Sequence, residues 1–277
     1  MSEKALTPEA LSYEHDGLSL GYSAVGEGEP VLFVHGATGT GEFEWGEMAA
    51  RLSHRFRCLM PDLRGHGRSE FRRSGYTGAA ICADLRRLIE HLGVDQPHVV
   101  GFSYGSEISL MLELEKPGTV RSLTLVSPGT GRPEHRRLPS IDYLHRTWPP
   151  TLRRLHDAHH GPEHWRSLVT TLVEDAATRK ELPPEKLSAI DCRVLLLAGD
   201  HDDRIRRTQA AHFAQVNQRA RFVEVEGAAH AAHLERPDRI IQVVGDFLAE
   251  VDLERRSGRH GATRGAEGES SRAAGHL

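Results

Sequence analysis

The feature that most constrains how this chain can fold is the stretch 97–106, Pro-His-Val-Val-Gly-Phe-Ser-Tyr-Gly-Ser. Val99 and Val100 form a β-branched pair suited to a buried strand, and Ile108, Met111 and Leu112 recur at helical spacing just downstream. Ser103 therefore sits at the apex of a strand, a tight turn and a helix. Swinging the chain from strand to helix at one residue forces strained backbone angles on the serine. Side chains two positions to either side would collide, which accounts for Gly101 and Gly105. The helix that follows presents free N–H groups and the positive end of its dipole to the serine hydroxyl. Negative charge developing beside Ser103 would be stabilised there, which is what a nucleophile requires.

At 277 residues the chain is long enough for one large α/β domain with an insertion. A net charge of -4 carries no polyanion-binding signal, so a nucleic-acid partner is not expected. Cys58, Cys82 and Cys192 are odd in number and far apart, giving neither a C-x-x-C pair nor a disulfide framework. Such usage suits a reducing cytoplasm. Residues 1–16 carry charges throughout and lack an apolar secretory core. Nothing approaches the ~18 consecutive apolar residues of a membrane span. The expectation is a soluble, cytoplasmic protein without a membrane partner, whose oligomeric state has no signature in the sequence.

In chain order, residues 11–25 alternate apolar and polar around Asp16-Gly17, the signal for a tight antiparallel hairpin. Residues 31–34 form a short buried strand that delivers His35-Gly36-Ala37-Thr38-Gly39. A helix over 42–52 and a strand over 56–60 lead to a loop, 62–69, whose glycines and mixed charges fit an ordering role for Arg64 and His66. An amphipathic helix, 79–92, is closed by Gly93, and a strand over 120–126 ends at Ser127-Pro128-Gly129. Between 130 and 190 apolar density falls, Arg and His rise, and Pro149-Pro150 and Pro183-Pro184 punctuate two or three short helices. The sheet then resumes at 194–197, followed by Gly199-Asp200-His201-Asp202-Asp203, a helix over 209–216, a strand over 222–225, the loop 227–233 and a closing helix over 239–250. Residues 1–10 and 253–277 lack periodicity and are expected to be disordered tails.

Two side-chain clusters in the 130–190 segment raise alternatives. His156, His159, His160 and His164 could suggest a metal, but no carboxylate or thiolate completes the set and Gly161-Pro162 breaks any helix between them; no metal is expected. Arg132, Arg136, Arg137, Arg146, Arg153 and Arg154 give a basic bias that fits either a solvated face or attraction of an anionic substrate. No Gly-x-Gly-x-x-Gly follows a strand, so no cofactor is expected either.

Four separated motifs then carry a specific resemblance: His35-Gly36, the run Asp62-Leu63-Arg64-Gly65-His66-Gly67-Arg68-Ser69, the turn at Ser103, and the pair Gly199-Asp200-His201-Asp202 with Gly227-Ala228-Ala229-His230. In this order the chain resembles the α/β-hydrolase superfamily, in particular its capped serine enzymes such as enol-lactone hydrolases, C–C hydrolases and haloperoxidase-like esterases. The resemblance implies an α/β-hydrolase fold: a mostly parallel eight-stranded sheet with helices on both faces and a small helical cap inserted after the sixth strand. The core would comprise 11–129 and 191–252, and the cap 130–190. It also implies a triad of Ser103, Asp202 and His230, with Asp203 and His233 as alternatives for acid and base. The backbone N–H groups of Ala37 and Tyr104 would form an oxyanion hole. His35, Gly36, Trp148 and Trp165 are candidate substrate contacts.

The activity so implied is a serine hydrolase, most simply a carboxylic ester hydrolase, cleaving an ester, lactone, thioester or C–C bond of a small molecule. A non-hydrolytic enzyme of the same fold, such as a lyase, an acyltransferase or a cofactor-free haloperoxidase-like enzyme, is the alternative. A ligand-binding protein on a retained scaffold is a third reading, disfavoured because all three residue types of the triad are present.

Overall fold

Alternation around a turn that only a left-handed backbone can make starts the sheet. Asp16 and Gly17 both take positive φ, 52° and 65°, and join β1 (Glu9–His15) to β2 (Leu18–Val25). The computed structural model describes residues 7–134 and 137–270, with side chains through residue 257. Arg136 and residues 1–6 and 271–277 of the expected tails lie outside it. β3 (Glu29–Val34), β4 (Phe56–Pro61), β5 (His98–Phe102), β6 (Ser122–Val126), β7 (Arg193–Gly199) and β8 (Ala220–Val225) complete one eight-stranded sheet ordered β1-β2-β4-β3-β5-β6-β7-β8. β1 and β2 pair antiparallel, as do β2 and β4, while every pairing from β4 through β8 is parallel.

The central strands are apolar on both faces because both are covered. Leu32 and Val34 of β3 pack with α2 (Gly78–His91) and α3 (Tyr104–Glu115), together with Phe213 of α8 (Arg204–Val216). Val31 and Phe33 point the other way, toward α1 (Gly41–Leu52) and α10 (Pro237–Ser270). Each such fully buried side chain contributes roughly 1.5–3 kcal/mol. The short α9 (Ala232–Glu235) precedes α10. α10 runs through Ser270, past the start of the tail expected at 253. Along it Glu254 pairs with Arg193 at 2.6 Å and Arg255 with Asp95 at 3.4 Å.

Between β6 and β7 the chain forms four helices: α4 (Ile141–Thr147), α5 (Pro150–His160), α6 (His164–Thr178) and α7 (Pro184–Ser188). Pro150 and Pro184 occupy first-turn positions, where a missing N–H costs nothing, so the two proline pairs start helices rather than merely separating them. The insertion shares the main core: Leu168 and Leu172 of α6 and Leu187 of α7 belong to it. Trp148, Trp165 and Val169 add a small apolar cluster of their own.

Histidines seat this insertion on the loops below. His156 Nε2 donates to Thr38 O at 3.0 Å, and His164 Nε2 donates to Gly65 O at 2.9 Å. The His160 and His164 rings stack 4.0 Å apart. Beneath them the loop 62–69 is tied inward. Asp62 accepts from Gly41 N at 2.9 Å and Arg68 N at 3.0 Å, and Arg64 binds Asp84 through two bonds of 2.6 and 2.7 Å. Burial pushes His35, His66 and His156 down to about 3, so all three are neutral at neutral pH.

Two consequences can be measured. The Arg64 and Asp84 side chains are 2% and 4% exposed, so Asp84→Ala leaves a buried guanidinium with only the half-exposed Asp16, 4.0 Å away, as a carboxylate partner. A loss of about 3–5 kcal/mol is expected in urea unfolding, and a loss below about 1 kcal/mol would contradict this account of the loop. Because the folded state keeps His35, His66 and His156 neutral while the unfolded chain protonates them below about 6.5, stability should fall on acidification from that pH downward. The slope is about 1.4 kcal/mol per pH unit for each such histidine. Denaturant curves between pH 7 and pH 4 test this, and a flat stability over that window would refute it.

Candidate active site

Ser103 stands between the end of β5 and the first residue of α3 with φ 50° and ψ −110°, a positive φ unusual for a residue with a side chain. The strain persists because the surroundings leave no alternative. A Cβ on Gly105 would lie 2.3 Å from Val34 O and 2.4 Å from His35 O, and one on Gly101 would lie 2.6 Å from Gly105 O. The start of α3 is thus pressed onto the end of β3. Ser103 N donates to Val126 O at 2.9 Å, which fixes the turn against β6.

His230 comes from the loop after β8, and Asp202 from the loop after β7. His230 Nε2 lies 3.0 Å from Ser103 Oγ, and its Nδ1 lies 3.0 Å from Asp202 Oδ1. Burial pushes the Asp202 carboxyl up, but the hydrogen bond and charge of His230, with the Asp203 N–H, outweigh it and hold the group below the usual carboxylate range. An ionised carboxylate at Nδ1 places the imidazole proton there, so Nε2 is left to accept from the serine hydroxyl. The alternatives occupy other places. Asp203 Oδ1 accepts from Ile205 N at 2.8 Å and caps α8. His233 is buried between the Trp45 and Phe102 rings, at 4.5 and 4.4 Å, where burial pushes it down to about 3.

A cavity of about 320 Å³ opens over Ser103 and is lined by Ala37, Thr38 and Tyr104 on the sheet side. Leu144, Trp148, Val169 and Leu172 of the inserted segment form an apolar wall opposite. Arg132, Arg137, Arg179 and Arg206 also line it. Among the described residues, no group of three or more His, Cys, Asp or Glu side chains is placed to hold a metal ion.

Of the four expected substrate contacts, Trp148 lines the cavity and the other three lie off its lining. His35 is fully buried beneath the loop rather than on the cavity wall: its Nε2 accepts from Leu63 N at 2.9 Å, so Nδ1 carries the proton and donates to Gly36 O at 2.7 Å. Gly36 turns its N–H away from the cavity, onto Glu44 Oε2 at 2.7 Å. Trp165 lies behind Trp148, flanked by the guanidinium groups of Arg153 and Arg166, each 4.5 Å from its ring. Both His35 and Trp165 have the residue type of a contact, but their neighbours hold them off the cavity lining.

Glu44 was not legible as a site residue. Its carboxyl is buried between the loop and α1, and burial pushes it up to about 8 while the Gly36 N–H pulls it down. In the sequence Glu44 is simply an acidic residue in a helix first turn, a common surface choice. Glu107, which pairs with Arg179 at 2.5 Å beside Ser103, was equally unmarked.

Comparison with known proteins agrees with this architecture. The chain is 33% identical over 113 residues to an uncharacterised protein of Mycobacterium bovis, a match covering 41% of this chain and 33% of that protein, so the chain spans about a third of that relative's length. It is 24% identical over 254 residues to pyrrolizixenacetamide deacetylase of Xenorhabdus hominickii, covering 84% of this chain and 95% of that protein. The meta-cleavage product hydrolase of Pseudomonas fluorescens superposes with a TM-score of 0.72 at 20% identity, covering 87% of this chain and 97% of that one, a likeness of fold. The model of the alpha/beta hydrolase family matches residues 31–243, and with the sheet order described above it establishes that the chain belongs to that family.

Proposed function

We propose that the protein is a serine hydrolase that cleaves an ester, lactone, thioester or C–C bond of a small molecule. The observation that carries this reading is the continuous chain from Ser103 Oγ to His230 Nε2 and from His230 Nδ1 to Asp202, each link 3.0 Å, opening on the cavity. Ser103 Oγ attacks the carbonyl carbon while its proton passes to His230 Nε2. Asp202 stabilises the imidazolium and holds its orientation. The oxyanion is received by the N–H groups of Ala37 and Tyr104, at the head of α3, where the helix dipole adds positive potential. His230 then returns the proton to the leaving group, and water attacks the acyl-enzyme by the same route in reverse. The inserted helices act as a cap, and its apolar wall excludes bulk water from the cavity.

Glu44 supports the same reading as a positioning residue. By holding the Gly36 N–H it sets the peptide that precedes Ala37, so the oxyanion donor is fixed before substrate arrives.

Labelling with a fluorophosphonate, followed by mass spectrometry of the intact protein, tests the nucleophile. Wild type should gain one adduct and Ser103→Ala none; absence of an adduct on folded wild type would overturn the proposal. Asp202→Asn should keep the fold and lower kcat on an activated ester by about 10⁴-fold, since the imidazole loses its tautomer. Product analysis in ordinary and ¹⁸O-labelled water separates hydrolysis from elimination or acyl transfer. For Glu44, the Gln variant keeps an acceptor for Gly36 N–H and should retain most of kcat. Glu44→Leu should lower kcat by about 10-fold or more with little change in KM. Equal losses in both variants would remove the positioning role.

A further inference from the structure

In the proposed reaction two backbone N–H groups, those of Ala37 and Tyr104, hold the oxyanion, and both residues are reached by side chains of the helices inserted after β6. On the first side α5 supplies His156. Its Nε2 donates to Thr38 O at 3.0 Å, and its Nδ1 has no partner, so Nε2 carries the proton. Ala37 therefore lies between two directed bonds: Gly36 N–H is held by Glu44 of α1, and Thr38 O by His156.

On the second side α6 supplies Asp175. Its Oδ2 accepts from the Tyr104 hydroxyl at 3.1 Å, and its Oδ1 accepts from Gly78 N at 2.9 Å, at the start of α2. Arg179, one turn further along α6, lies 3.3 Å from the same Oδ2, covers the Tyr104 ring with 4.6 Å to its centroid, and reaches Glu107 of α3 at 2.5 Å. α6 thus grips the first turn of α3 at Tyr104 and at Glu107. That turn starts from Ser103, whose φ of 50° makes it a strained support.

Attachment of the insertion does not require these bonds. Leu168, Leu172 and Leu187 already join it to the main core, and apolar packing does so without the desolvation cost of a carboxylate such as Asp175, whose side chain is 2% exposed. Hydrogen bonds and ion pairs add direction. They fix a position along which packing alone would tolerate sliding, and here they end on the two segments that carry the donors.

We propose that His156 and Asp175 are positioning residues for the oxyanion hole, through which the inserted helices set the Ala37 and Tyr104 N–H groups. This inference rests on the Ser103 reading given above and deepens it: the insertion prepares the site for developing charge besides walling the cavity.

4-Nitrophenyl acetate and hexanoate form the same oxyanion but offer different acyl chains to the apolar wall, so the pair separates positioning from substrate contact. Tyr104→Phe deletes one oxygen, the partner of Asp175, and should lower kcat by about 10-fold on both esters, with KM within about two-fold of wild type. His156→Leu should do the same. His156→Gln, which offers an amide N–H near the place of Nε2, should recover most of that loss. Affinity for 1,1,1-trifluoroacetone, which Ser103 Oγ converts to a hemiketal oxyanion as its proton passes to His230, should fall by the same factor as kcat. A loss confined to the hexanoate or to KM would make these side chains part of the substrate wall and overturn the proposal, as would wild-type kcat in Tyr104→Phe. Equal losses in His156→Leu and His156→Gln would remove His156 from it. Should the His156 variants fail to fold, unaltered protein decides. Coupling is reciprocal, so bound trifluoroacetone should slow amide exchange in residues 150–160 by about 10-fold, and unchanged exchange would overturn that arm. Failure of a fluorophosphonate to label wild type would remove the Ser103 reading and this inference together, whereas a labelled wild type with unaffected variants would overturn this inference alone.

Discussion

Close approach of α3 to the end of β3 is the constraint on which this molecule depends. Only glycine at 105 lets the helix reach the Val34 and His35 carbonyls, with a Cβ there falling 2.3 and 2.4 Å away. That approach makes the turn at Ser103 sharp and its φ positive, and it lifts the hydroxyl clear of the sheet. It also brings the loop that follows β3 beside the helix N-terminus, so Ala37 and Tyr104 border one cavity. One contact thus places the serine hydroxyl and the neighbouring backbone together. The strain at Ser103 is sustained by the parallel ladder on either side, β3 and β6 pairing with β5.

Around this turn, polar groups without solvent perform the alignment. Glu44 holds Gly36, His35 links the same loop to Leu63, and Asp62 ties the 62–69 loop to the start of α1. His156 and His164 then seat the inserted helices on Thr38 and Gly65. Burial keeps His35 and His156 neutral, so each offers an N–H to a carbonyl without the desolvation cost of a buried charge. The histidine run that looks like a metal cluster in the sequence is, in space, a set of donors to backbone carbonyls and a stacked pair. The insertion is accordingly continuous with the main core instead of a separable lid.

Much of the fold was legible because its signals are local. Asp16-Gly17 specifies a hairpin through backbone conformation, the doubly apolar runs at 31–34 and 194–197 require a sheet covered on both faces, and Gly101 and Gly105 report a collision that any side chain would cause. The candidate site was legible where a motif ties a residue to the end of a strand, as at Ser103, Asp202 and His230. It was illegible where the deciding quantity was burial. His35 and Trp165 have the chemistry of contacts but lie beneath other groups, whereas Glu44 has the look of a surface acid and is enclosed.

By itself the sequence determined the order of strands and helices, the strained turn at Ser103 and the identity of the residues at the strand ends, because each depends on a few neighbours along the chain. Only the tertiary structure decided that Asp202, not Asp203, meets the His230 ring and that His230, not His233, meets Ser103, since loops 28 residues apart must converge within hydrogen-bonding distance for that choice to exist. It alone decided what lines the cavity as well. Leu144, Trp148, Val169 and Arg179 are dispersed in sequence from Ser103, and they line one cavity with it only because the helices after β6 fold back over the sheet.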